Sequence, residues 1–586
     1  MQLIPVRVEV ELDGAAVAVG LDGPGTVEAG PLDLALVEGT GPGSFGWRIA
    51  NRADDGVPVR SVAVVFAVQG HTGPLRMFRH GYQSWSRTGV ATFGVDRDPT
   101  TVDGSAALVW GVHHADPRRA RDGELRSEWV TVLADATTAV RAGFDDGSSH
   151  DGTWRLRPGD GGPELWAEAY LGGAVIAAGE ARRLHAFSFD HGEPGDAAEL
   201  LGRWAEHAGG IAGARVGAPY QVGWCSWYQY FHGVSEADLR ANLALAADWP
   251  FELFQLDDGY QAAIGDWLET NERFPSPLDA LAADITAAGR RAGLWLAPFL
   301  VAPDSRVATE HPDWLARLGD GTPLPGMLNP NWGGGRDGIM YTLDTTHPEV
   351  AAHLEAVAAT LVAWGFTYLK LDFTFAPSFD GIWTDPARTP AERVRAGYAA
   401  IRRGAGDDCF LLGCGVPLAN VVGLVDGNRI GADVAPSWEL EPDRHWLEGY
   451  ADTEPSTRNA YANTCTRAFM HRRLWLNDPD CLMLRAEQTA LSADARRAWA
   501  ETVAVSGGMA LVSDDLSLLG GEARELLDEV VAIGRVVDEA ARRGEVPRCP
   551  DLLDHRVPRQ LEAAGYQLTV DPDAAVSSLV TPPAPS

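Results

Sequence analysis

From residue 221 onward the sequence alternates strand-like apolar runs, eight in all, with helix-like segments. The runs lie at 221–227, 251–258, 293–300, 367–375, 409–416, 428–434, 474–480 and 509–514. Between and after them, segments 235–248, 276–291, 347–363, 389–404, 458–472, 492–506 and 521–543 read as helices. The first opens on Ser235, an N-cap residue, and the next two carry apolar residues at helical spacing. Eight such runs, with helices after most of them, predict a closed parallel (β/α)8 barrel over 216–545 rather than an open sheet. No G-x-G-x-x-G follows the first run, as a dinucleotide-binding open sheet would require.

Residues 1–215 have a different grammar. Short alternating stretches such as Val6–Leu12, Ser61–Val68 and Trp129–Leu133 are separated by Asp-Gly steps at 13–14, 22–23, 146–147 and 151–152, which predict turns. Together they imply an antiparallel β-sandwich. Phe78 to Ser86 mixes aromatic and polar residues without alternation and reads either as a functional loop or as a packed corner. His113-His114 and Asp145-Asp146 lack the ligand spacing of a zinc or EF-hand site and are read as surface. After the last helix, 546–586 is too short for a full sandwich. One strand is expected at 566–570, then a partly disordered end, so a C-terminal β-domain is truncated or absent.

Barrel enzymes build their sites at the C-terminal ends of the strands. Here those ends read Gly223-Trp224-Cys225-Ser226-Trp227, Asp257-Asp258-Gly259-Tyr260, Leu294-Trp295, Lys370-Leu371-Asp372, Gly413-Cys414-Gly415, Arg429 to Asp433, Asn477-Asp478-Pro479-Asp480 and Ser513-Asp514-Asp515. Lys370 is the chain's only lysine and lies two residues before Asp372, so in a strand both project to the same side. A buried ammonium beside a carboxylate is costly unless it serves structure or chemistry. Single acidic residues at strand ends can be helix caps. Acidic residues at five of eight ends, with tryptophans at others, suit a sugar: carboxylates bracket hydroxyls and indole faces cover a pyranose, although Trp224 and Trp295 also fit plain core packing.

The formal net charge of −33 removes the basic footprint that nucleic acid or an anionic membrane would need. No apolar run is long enough to span a bilayer. Met1 to Arg7 does not have the pattern of a secretory leader, and six scattered cysteines form no disulfide framework, so a reduced, cytoplasmic protein is expected.

Asp257-Asp258-Gly259-Tyr260, Lys370-Leu371-Asp372, Arg429-x-x-x-Asp433 and Leu476 to Asp480, in this order on consecutive strand ends, resemble the motif series of glycoside hydrolase family 36, in the clan of retaining α-galactosidases. Phe78 to Ser86 is similar to a loop of that family's N-terminal sandwich. The resemblance implies cleavage of terminal α-galactosyl groups by double displacement, with Asp372 as nucleophile and Asp433 as general acid/base. It implies that Asp257 and Asp258 hold O4 and O6, that Lys370 and Arg429 reach sugar hydroxyls, and that Trp227, Trp295 and Cys414 line the pocket. It calls for no cofactor and no metal, names an α-galactoside as the only partner, and leaves room for a homo-oligomer. Two departures stand out: Thr374 replaces an Asn that contacts the sugar in the family, and the Cys414 segment is atypical. Arg336 is a candidate pocket arginine. Galactosyl transfer to a sugar acceptor, or cleavage of a related α-glycoside, fits the same motifs. A metal-dependent lyase or isomerase using Asp257, Asp372 and Asp433 as ligands, and a sugar-binding protein without catalysis, are the readings from other classes.

Overall fold

The computed structural model describes every residue except 13, 14, 22, 40–42, 99–110, 117–120, 333–337, 442–449 and 583–586. Arg336, the expected Asp13-Gly14 turn and the first residue of the Asp22-Gly23 turn lie outside the described residues.

Two antiparallel sheets form the N-terminal part. In the six-stranded sheet the order is Ala15–Gly20, Gln2–Leu12, Val57–Gln69, Gly162–Ile176, Asp151–Gly159, Leu125–Glu128. The eight-stranded sheet runs from Gly25–Ala29 to Gly89–Thr92, with Ala181–Gly192 near its centre. Period-two alternation explains how Val57–Gln69 serves both faces. Val62, Val64, Phe66 and Val68 enter the main core, while Ala63 and Val65 pack on Trp166 behind it. Between the sheets, Trp47, Phe66, Phe144, Trp154 and Phe187 interlock mostly edge to face. Asp151-Gly152 begins a strand instead of making a turn. A Cβ on Gly152 would lie 2.4 Å from the Phe144 ring, so the glycine is there for close packing.

The barrel strands are β1 (Val222–Cys225), β2 (Leu253–Leu256), β3 (Arg291–Leu296), β4 (Phe366–Leu371), β5 (Phe410–Gly413), β6 (Gly427–Arg429), β7 (Leu476–Asp478) and β8 (Ala510–Val512). All eight fall within two residues of the expected runs at their starts, and all ladders between them are parallel. Between β7 and β8 a single Met509 N–H donates to the Asn477 carbonyl at 2.9 Å, leaving the barrel nearly closed. An antiparallel sheet of Leu300–Val301, Ile339–Thr342 and Pro325–Leu328 is inserted after β3. The chain ends in three antiparallel strands, Gln560–Ala563, Tyr566–Asp571 and Val576–Val580, packed on helix Ala493–Ser506. One strand and a loose end were expected there. The alternating burial of Leu561, Ala563, Leu568 and Val570 gives this small sheet its own apolar face.

Phe78 to Ser86 joins the sandwich to the barrel. Arg467, fully buried after helix Thr457–Thr466, donates to the carbonyls of Gly81, Gln83, Ser84 and Ser86, and to Ile430 beyond β6. Burial pulls its guanidinium down to about 9. His113 and His114 are buried, against the expectation of a surface pair, and burial holds both imidazoles near 3. Asp145 is buried as well.

The same joint carries a titrating carboxyl. Asp151 Oδ1 accepts from Asn420 Nδ2 at 2.9 Å and Oδ2 from the Tyr82 hydroxyl at 3.4 Å. Burial pushes it up to about 7, and nearby Glu128 adds to the rise. A carboxyl raised above its unfolded value leaves the native state holding the extra proton. Stability is therefore fully present below pH ~4 and lost as pH climbs to about 7. That rise corresponds to about 4 kcal/mol. Denaturant titrations should show Asp151→Asn gaining on the native protein by a few kcal/mol between pH 4.5 and 8; parallel curves would refute this.

Candidate active site

The C-terminal ends of β1 to β7 bring most of the expected residues into one polar pocket. Lys370 Nζ, on β4, lies 2.9 Å from Asp257 Oδ2 and 4.0 Å from Asp372 Oδ2. Burial pulls the ammonium down, but Asp257 and then Asp372 outweigh it and hold Lys370 well above its usual range. Asp372 also accepts from Trp295 Nε1 at 3.1 Å and from the Phe373 N–H at 2.8 Å. Phe373 has φ +51, sterically unfavourable for an aromatic residue, and its amide is aimed at the Asp372 carboxylate.

Beyond β2 the two neighbouring aspartates face different donors. Asp257 takes Gln255 Nε2 at 2.6 Å beside Lys370, and its N–H donates to Ser226 Oγ at 2.9 Å. Asp258 takes Trp332 Nε1 at 2.7 Å, Gln261 Nε2 at 2.6 Å and His232 Nδ1 at 3.0 Å. Each charge is thus held in place by several donors despite near-complete burial.

Arg429, at the end of β6, is clasped by three aspartates. Its Nη1 lies 2.9 Å from Asp433, Nε 3.0 Å from Asp478 and Nη2 2.8 Å from Asp480. Of the three carboxylates only Asp433 stays open, with a third of its side chain (34%) accessible. The protein packed around the rest of the side chain still raises its carboxyl by partial desolvation. Arg429 opposes the rise and the Asp372 charge reinforces it. Asp480 accepts from the Tyr228 hydroxyl and from the Val434 N–H, so it also anchors the segment carrying Asp433. Arg429 therefore touches the site chiefly through Asp433.

Aromatic rings form the wall: Trp267, Trp295, Trp332, Phe373 and Trp85 follow one another with centroids 4.9–5.9 Å apart. Trp85 comes from the sandwich. Gly415, at φ +53, makes room for it, since a Cβ there would lie 2.7 Å from the indole. Trp85 Nε1 is buried and bonded to no protein atom among the described residues. Trp227 is half-buried at the rim, and Cys414 is buried below Asp372. Thr374 is different: fully buried, its hydroxyl is bonded to the Tyr398 hydroxyl at 2.8 Å and the Cys414 carbonyl at 3.2 Å.

Among the described residues, no three His, Cys, Asp or Glu side chains are grouped as metal ligands. Asp257 and Asp433 are instead matched to Lys370 and Arg429.

Known proteins resemble this chain in sequence and in fold. Residues 222–375, from β1 through Phe375, match the Melibiase family. The chain is melibiase-like. A curated relative of this melibiase-like chain, the α-galactosidase AgaA of Geobacillus stearothermophilus, is 26% identical over 155 residues, 25% of this chain and 20% of its own length. The probable α-galactosidase C of Aspergillus flavus is 28% identical over 169 residues, 26% and 21% of the two chains. Each match spans about a fifth of the curated relative. Among solved structures, the α-galactosidase of Thermus thermophilus in complex with p-nitrophenyl α-D-galactopyranoside superposes with a TM-score of 0.66 at 28% identity, covering 90% of this chain and 94% of that one. Crystalline AgaA has the same fold at 13% identity, with a TM-score of 0.60 over 98% of this chain and 80% of that one. The melibiase-like segment contains Asp257, Asp258, Trp295, Lys370 and Asp372, but it ends before Arg429 and Asp433.

Proposed function

We propose that this protein is a retaining α-galactosidase. The observation that carries the reading is the contrast between two carboxyls of one pocket: Asp372 beside the Lys370 ammonium, and Asp433 pushed toward its protonated form. Retaining hydrolysis requires that division of labour. In the first step an Asp372 oxygen attacks the anomeric carbon. The bond to the leaving oxygen breaks, and that oxygen takes the Asp433 proton. In the second step Asp433, now ionised, removes a proton from water, the water oxygen attacks the same carbon, and the bond to Asp372 breaks. Asp257 and Asp258 would receive O4 and O6. Trp85 Nε1, lacking a protein acceptor among the described residues, would donate to a hydroxyl. Arg429 holds Asp433 in place, and Lys370 sets its ammonium beside both Asp257 and Asp372.

The thermophile structure with its bound galactoside supports an α-galactoside as substrate. All six cysteines are free and buried, which suits a reducing compartment, and we place the protein in the cytoplasm on that ground. No described helix is long and apolar enough to cross a membrane.

A fluorinated galactosyl fluoride that forms the ester but resists its hydrolysis tests the reading. Peptide mapping should find the sugar on Asp372, in the segment containing Phe373 and Thr374. A tag on any other residue, or none under turnover conditions, would overturn it.

A further inference from the structure

The short helix Trp227–Tyr230 follows the C-terminal end of β1, and Phe231 ends it in an unusual state. Its backbone is at φ 48, ψ −145, a region that glycine tolerates and side chains avoid. The residue nevertheless stays 42% exposed, so the strain is not repaid by full burial. The ring stands edge-on to half-buried Trp227 at 5.3 Å, and Trp227 meets His232 at 5.0 Å. His232 in turn reaches Asp258 at 3.0 Å. The loop is locked from beneath: a Cβ on Gly259, at φ +123, would lie 3.2 Å from the His232 carbonyl. On its other side Phe231 neighbours Tyr228 at 6.5 Å, whose hydroxyl donates to Asp480 beside the Asp433 segment.

Resting on the proposed α-galactosidase reading, we propose that Phe231, backed by Trp227, is the platform for the leaving-group sugar. Asp433 protonates the leaving oxygen, so the unit attached to that oxygen must emerge on the side where Asp433 and Tyr228 stand. An exposed aromatic face held there by a strained backbone matches the apolar face of a second pyranose. A ring on this platform is contacted only while the galactosyl unit is still attached to its partner. Phe231 thus selects oligosaccharides over small galactosides and plays no part in bond breaking.

The test compares kcat/KM for raffinose with that for α-galactosyl fluoride, which has no second ring. Phe231→Gly relieves the backbone strain, so the fold should survive. The raffinose-to-fluoride ratio should fall about tenfold, mostly through the KM for raffinose, and Phe231→Tyr should restore it. An unchanged ratio overturns the platform. So does a change in sedimentation coefficient without a change in ratio, which would make Phe231 a contact between copies of the chain. If the unsubstituted protein turns over neither substrate, the α-galactosidase reading fails instead.

Discussion

Asp372→Asn lowers turnover of any α-galactoside by about 10⁴-fold or more, with the fold intact and galactose still bound. The amide keeps the shape, and its carbonyl oxygen can still accept from Trp295 Nε1 or the Phe373 N–H, which now hold the carboxylate at 3.1 and 2.8 Å. Lys370 keeps its closer partner Asp257 at 2.9 Å, so no buried ammonium is stranded. What disappears is the negative oxygen that would form the ester. Far-UV circular dichroism and a galactose-induced rise in melting temperature separate this outcome from misfolding. Asp372→Gly sharpens it. Azide entering the vacated space should attack the anomeric carbon from the face Asp372 occupied and release β-galactosyl azide. Turnover within a hundredfold of the native rate in Asp372→Asn would remove Asp372 from the mechanism.

How much of this was legible beforehand depended on how local each signal was. The eight barrel strands were readable because each is a short apolar run bounded by a helix signal, and periodicity reports such patterns directly. The pairing of Lys370 with Asp372 followed from strand geometry, although the structure brings the ammonium nearer to Asp257, from a different strand. Long-range packing was invisible. Nothing around His113-His114 announced that both would be buried, and Asp151-Gly152 looked like a turn until its glycine proved to face Phe144. Trp332 and His232 were missed as partners of Asp258 because each lies in a loop brought near it only by tertiary folding. Asp480 belonged to a quoted motif, but its grip on Arg429, Tyr228 and Val434 needs three separate segments in place. Trp85 came closest to being read. Its loop stood out for lacking alternation, and the physical cause is that it packs on the barrel rather than in the sheet.

Asp433→Ala is expected to separate substrates by how much help their leaving groups need. An oligosaccharide leaves as a poor alkoxide, so losing the proton donor should cost about 10²- to 10⁴-fold, whereas fluoride or a dinitrophenolate departs with little assistance. With those activated substrates the first step outruns the second, which still lacks its base. The covalent galactosyl-enzyme should therefore accumulate and appear by intact mass. The pH profile supplies a second sign. Burial and the Asp372 charge raise the Asp433 carboxyl against the pull of Arg429, so the native enzyme should hold the proton above the usual carboxylate range and lose activity as pH climbs through that raised value. In Asp433→Ala that alkaline limb should vanish, because the group that produced it is gone. Azide then gives a check that depends on no rate. It should attack the accumulated ester from the face opposite Asp372 and release α-galactosyl azide, the anomer opposite to the Asp372→Gly product. The same anomer from both variants would mean that the two carboxyls do not work on opposite faces of the sugar.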